Sequence, residues 1–164
     1  MGGIFTLVIL SCFMILLMMF FAFNINYTKA FKVKNYIVSK FEQNEGRCLE
    51  NSACDLDIRN YIDKYGYAAD SKINNQESYI NSNVLTCNTN NDIICGNVNC
   101  HHGYCYRYVK YRGTNPVEYY YQIATKVDVD FLMMSNGFFN SFAGTFYVTG
   151  TTKKIVNKIN RGND

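Results

Sequence analysis

An α+β architecture follows from three features of the 164-residue chain. The first is an N-terminal apolar run of twenty residues without a charge, and the second is a narrow apolar stripe at helical spacing directly after it. The third is a long two-residue alternation of apolar and polar positions in the last third. The first two predict one long helix and the third an antiparallel sheet, with a cysteine-bearing loop region between them. Apolar content of 48% leaves enough for one core after the N-terminal run is set aside.

The run IFTLVILSCFMILLMMFFAF, residues 4–23, covers roughly 30 Å as a helix, the thickness of a bilayer's hydrocarbon core. No Lys or Arg precedes it, it exceeds a usual signal-peptide core, and FFAFN is a poor cleavage site. It is therefore expected to be an uncleaved single transmembrane helix behind a short tail, residues 1–3. No Pro or Gly interrupts the chain from there to Gly46. Tyr27, Ala30, Val33, Ile37 and Phe41 recur three or four apart, so residues 24–45 should extend the helix with one apolar stripe. The whole helix would be roughly 60 Å long.

Beyond Gly46, residues 46–158 are expected to form a disulfide-stapled ectodomain, followed by a flexible tail at 159–164. Ser52 and Asp55 have the spacing of a capping box. Behind them Leu56 or Ile58, Tyr61, Ile62 and Tyr65 predict a short amphipathic helix ending at Gly66. Residues 67–92 are polar and Asn-rich, a loop with one short strand expected near Val84 to Cys87. VEYYYQIATKVDVDF, residues 117–131, alternates almost without error. It predicts a buried face from Val117 to Phe131 and a wet face carrying Glu118, Tyr120, Gln122, Ala124, Lys126, Asp128 and Asp130. A strand at Tyr104 to Arg112 precedes it through the turn Gly113-Thr114-Asn115-Pro116, and a third, Phe142 to Ile155, follows. These three make a meander whose apolar face needs the helix stripe as its cover.

Seven cysteines include Cys12 in the apolar run; the six others are Cys48, Cys54, Cys87, Cys95, Cys100 and Cys105. An even number in a loop-rich module reads as three disulfides in an oxidising compartment, with fifteen possible pairings. Lys29, Lys32, Lys34 and Lys40 pull the other way, since the positive-inside rule would hold the domain in the cytoplasm. The cysteines are given precedence, which places the C-terminal domain outside the cell membrane.

CGNVNCHHGYC, residues 95–105, also invites a zinc reading, but structural zinc sites favour a tighter Cys-x2-Cys turn. A Cys–His catalytic pair is disfavoured, because adjacent residues on a strand face opposite ways. Asp128 and Asp130 read as a solvated strand end, and no phosphate loop or metalloprotease helix occurs. A net charge of +3, scattered along the chain, argues against a nucleic-acid partner. A non-enzymatic protein without cofactor, metal or small-molecule substrate is the expectation. In FLMMSNGFFNSF, Leu132, Met133, Met134, Phe138 and Phe139 are apolar where an interstrand connection is normally polar; a short helix folded back onto the core is the expectation, with a contact surface for the membrane or another subunit as the alternative.

The predicted order of membrane helix, amphipathic extension, disulfide-bearing region and antiparallel sheet resembles pilin-like proteins, and its specific motif is the closing stretch YYYQIATKVDVDF…FAGTFYVTGTTKKI, with Gly150-Thr151-Thr152 in its last strand. More narrowly it resembles the TadE-like and pseudopilin-like small membrane-anchored proteins of Gram-positive bacteria. The resemblance implies a subunit of an envelope filament or secretion apparatus, with other pilin-like subunits or envelope proteins as partners. The prepilin processing site and its glutamate have no counterpart, since Gly2 and Gly3 precede Ile4 and no acidic residue comes before Glu42. Two other functions compete: a membrane-tethered, disulfide-rich ligand-recognition module, and a zinc-binding cytoplasmic domain.

Overall fold

The computed structural model describes residues 2–48, 50–64, 80, 83–101, 103–114, 116–129 and 144–157. Among the described residues the elements with defined bounds are two helices, α1 (Gly2–Gln43) and α2 (Ala53–Lys64), and six strands after them. The strands are β1 (Ile93–Cys95), β2 (Asn99–His101), β3 (Tyr104–Tyr111), β4 (Val117–Val129), β5 (Gly144–Thr151) and β6 (Ile155–Asn157). All pairings are antiparallel. β3 and β4 form the centre of the sheet. β1 and β2 share the outer edge of β3, while β5 and β6 share that of β4.

α1 is uninterrupted for 42 residues. Its apolar N-terminal half touches nothing: Leu7 is 67% exposed, Leu16 63% and Phe20 62%. From Ala30 onward its inner side is fully buried at Ala30, Val33, Ile37 and Phe41, against β4, β5 and α2. α2 begins with Ser52 as N-cap, whose Oγ accepts the Asp55 N–H at 3.3 Å. It runs back along α1, as the Lys40–Asp57 ion pair and the Tyr36–Tyr61 ring stack (3.8 Å between centroids) establish. Ile58 and Ile62 then close a first core with Val33, Ile37, Phe41, Tyr104 and Ile123.

The opposite face of the sheet differs from the sequence expectation. Ala124, placed on a wet face by alternation, is 1% exposed and packs with Cys100, Cys105, Val98, Ile80 and Leu85 in a second core. Ile80 and Leu85, before β1, and Val98, after it, cover this side of the sheet at Ala124. No strand forms at Val84 to Cys87. Val84 and Leu85 turn back onto the Ile80 carbonyl instead, at 3.1 and 2.8 Å. The third strand expected between Phe142 and Ile155 is divided, with Thr152–Lys154 separating β5 from β6. At the break Thr152 turns inward, its N–H donating to the Tyr121 carbonyl and its Oγ1 accepting the Tyr121 N–H, both at 2.9 Å. The end of the second helix at Gly66 and the apolar connection bearing Leu132, Met133, Met134, Phe138 and Phe139 lie outside the described residues.

Candidate functional site: the helix joining apolar span and domain

The arrangement that distinguishes this chain is the junction of α1 with the sheet, locked at its C-terminal end. The helix stops in a Schellman motif: Gly46 N–H donates to the Phe41 carbonyl at 2.7 Å and Glu45 N–H to that of Glu42 at 3.3 Å. Both Glu45 (φ 50°) and Gly46 (φ 73°) are left-handed. Their carbonyls, which the motif leaves pointing outward, accept hydrogen bonds from two tyrosines of β4: Tyr119 Oη to Glu45 at 2.9 Å and Tyr121 Oη to Gly46 at 3.1 Å. A third tie is the Lys153 N–H, which donates to the Glu42 carboxylate at 2.7 Å. Lower down, the Lys34 stem lies where a side chain on Gly150 would stand, so this glycine lets helix and β5 approach.

A buried polar network pins α2 to the same core. Asp55 is fully buried. Its Oδ2 accepts the Asn51 N–H at 2.9 Å and pairs with Arg59 Nη2 at 2.8 Å, and its Oδ1 accepts the Tyr104 hydroxyl at 2.9 Å. Burial, and then the Asp55 charge, hold the Tyr104 phenol well above its ordinary pKa. Tyr121 is likewise pushed up to about 12, by burial first and then by Tyr119, Tyr106 and Tyr108. These phenols act as hydrogen-bond donors at neutral pH. The Tyr104–Asp55 bond ties β3 to α2, and Arg59 and the Asn51 N–H hold the same carboxylate from the α2 side, so the network works as a clamp.

The cysteines pair as Cys48–Cys54, Cys87–Cys95 and Cys100–Cys105. The first joins the end of α1 to the start of α2. The second ties the second core's cover to β1. The third spans directly opposed residues of β2 and β3, whose turn carries Gly103 at φ 90°. The His101 ring leans on Tyr104 and Tyr106, with centroids 6.2 and 5.6 Å away. Among the described residues no three His, Cys, Asp or Glu side chains converge on a metal position.

Of the expected stripe, Ala30, Val33, Ile37 and Phe41 meet in the first core, whereas Tyr27 is 47% exposed. It stacks in a column between Phe23 and Phe31, at 6.2 and 6.5 Å, because sheet cover begins only at Ala30. The tyrosine clamp and the Asp55–Tyr104 bond are absent from the sequence reading, since they join residues 49 to 75 positions apart. The available signal was chemical: a half-buried Tyr must find a partner for its hydroxyl.

α1 is long and apolar enough to cross a membrane, as is a signal sequence. Three disulfides belong to an oxidising, extracytoplasmic environment. No family model, curated protein or solved structure matches the chain.

Proposed function

We propose that the protein is a non-enzymatic, membrane-anchored extracytoplasmic subunit, a pilin-like or pseudopilin-like component of an envelope filament or secretion apparatus. One observation carries this reading: a single unbroken helix is bare along its apolar half and buried under a disulfide-stapled sheet along the other. A tether needs only a flexible stalk. A rigid helix clamped to its domain transmits the orientation of one to the other, which side-by-side packing of subunits requires. Polar side chains at the transition fold back onto the helix, Asn24 Nδ2 to the Phe20 carbonyl (2.7 Å) and Thr28 Oγ1 to that of Asn24 (2.8 Å). Two of the polar side chains where the helix leaves the apolar stretch are thus satisfied by its own backbone.

The test places a photoactivatable residue at Phe13 or Leu16, 56% and 63% exposed, in cells. Adducts with a second copy or with other single-span helical proteins are expected. Their loss is expected in Thr28→Pro, which breaks the helix while leaving the protein membrane-bound and oxidised. Adducts with lipid alone would overturn the proposal. Crosslinks confined to the disulfide-bearing region would favour the ligand-recognition module instead.

A further inference from the structure

We infer that the end of the domain facing the apolar half of α1 docks on anionic phospholipid headgroups, so that the domain rests on the bilayer. This inference depends on α1 spanning a membrane. The spacing is the first argument. The apolar run ends at Phe23 and the first domain-buried residue is Ala30, seven residues or about 10 Å up the helix. That is close to the thickness of one headgroup layer, which leaves no room for a water-filled stalk.

The direction of the elements is the second argument. Tyr119 and Tyr121 meet the C-terminal end of α1, and Lys34 meets Gly150, the partner of Ile123. β4 therefore runs toward the apolar half, and its Val129 end, paired with Gly144, lies at the domain's lower rim. The Gly103 turn joins that rim through its bond from Lys126 N–H. α2 runs the same way, since Asp57 meets Lys40 and Tyr61 meets Tyr36, so Lys64 ends beside the level of Lys32.

The charge is the third. Lys29, Lys32 and Lys64 are exposed at this rim, and the Lys34 ammonium sits 4.0 Å over the Phe31 ring. α1 has no acidic residue before Glu42; among the described residues Asp63 on α2 and Asp128, next to Val129 on β4, are the acidic positions at this end. Below the lysines stand the exposed Phe23 and Tyr27, the start of a column that Phe31 continues to the lysines' own level, aromatic side chains of the kind that settle at the membrane interface. Cations above an aromatic belt fit phosphate headgroups above acyl chains. The lysines that would draw the domain inward by the positive-inside rule thus have another role, as headgroup ligands.

The test uses the full-length, oxidised protein in nanodiscs, with Cys12→Ser and a fluorophore on Asp63→Cys at the rim or Asn44→Cys at the far end. Lipids with a nitroxide at the headgroup should quench the Asp63 label strongly and the Asn44 label weakly. The rim quenching should fall severalfold when anionic lipid is replaced by zwitterionic lipid, or when salt is raised from about 0.05 to about 0.5 M. It should fall likewise in the triple variant Lys29→Glu, Lys32→Glu, Lys64→Glu. Equal quenching at both sites, or rim quenching indifferent to lipid charge, salt and lysines, would overturn the inference. A label on native Cys12 that acyl-chain nitroxides fail to quench would remove the membrane span itself, and this docking with it.

Discussion

Gly46→Ala probes the clamp that ties α1 to the sheet, and its cost separates into two parts. A Cβ at φ 73° enters the left-handed region, which costs an L-residue about 1–2 kcal/mol. The same Cβ would land on the Tyr121 ring, with ring carbon Cζ and the hydroxyl oxygen both at 2.8 Å. The ring must swing off its preferred rotamer, at about 1 kcal/mol, and release its bond to the Gly46 carbonyl, at about 1 kcal/mol more. The total is about 3–4 kcal/mol, a fall of roughly 10 °C in Tm for a domain of this size. In a Tyr121→Ala background the ring is gone, so Gly46→Ala should cost only the backbone share, about 1–2 kcal/mol. The double-mutant cycle, read by thermal unfolding of the oxidised protein in detergent with tyrosine near-UV circular dichroism, should give a coupling of about 2 kcal/mol. A cost equal in the two backgrounds would refute steric conflict at the clamp; no cost in either would refute the left-handed geometry as well.

Four further outcomes follow from neighbouring parts of the structure. Glu45→Gly should stabilise the domain by about 1 kcal/mol in the same melts, because Glu45 holds φ 50° where helices favour glycine and lends only its backbone carbonyl to Tyr119. Asp55→Asn should destabilise by about 2 kcal/mol, since it strips the charge from a buried carboxylate that pairs with Arg59 and accepts from Tyr104. Replacing Cys48 and Cys54 together by Ser should cost about 2 kcal/mol, the entropy of a short closed loop, measured by denaturant unfolding. Stability should also fall in alkali. Tyr121 is raised from 10 to about 12 by folding, so the folded state holds its proton more tightly, and this contribution is complete below pH 10 and lost as pH rises toward 12. Phenolate absorbance should then appear together with unfolding; a Tyr121 that titrates near pH 10 in the intact fold would contradict this.

Which features were legible in sequence depended on how local their cause is. The long helix was, because twenty uncharged residues and Ala30, Val33, Ile37 and Phe41 repeat within one element. So was the N-terminus of α2, where Ser52 and Asp55 act three residues apart. β4 was legible as a strand from its alternation, but its second face was misjudged, because burial there is decided by a segment remote in sequence. Ala124 offered a hint: a small apolar residue among Gln122, Lys126 and Asp128, which proves to stand opposite Cys105. The cysteine pairing was beyond reach for the same reason. Cys100 and Cys105 meet because the Gly103 turn sets the β2–β3 register, and β2, at three residues, is too short to show a period.

The ends of the domain divide the work of fixing its orientation. At the far end, two tyrosine hydroxyls and the Lys153 N–H hold the last turn of α1 to β4 and the β5–β6 break. In the middle, the close approach of Lys34 to Gly150 leaves helix and sheet little freedom to slide. These contacts fasten the sheet to α1 at the last turn of the helix and again at Lys34. Such fastening is costly for a simple tether, because burying the inner side of a helix commits residues that a stalk would leave free. It has a use where neighbouring helices set the spacing and tilt of the domains above them. The disulfides fit the same demand: Cys48–Cys54 fixes the path from α1 into α2 at the one place where the chain turns sharply out of the long helix. The prediction that separates this view from a tether is therefore mechanical. Thr28→Pro and Gly46→Ala should both disturb assembly with neighbours, although the first lies below the domain and the second at its far end. A tether would lose nothing from the first and only stability from the second.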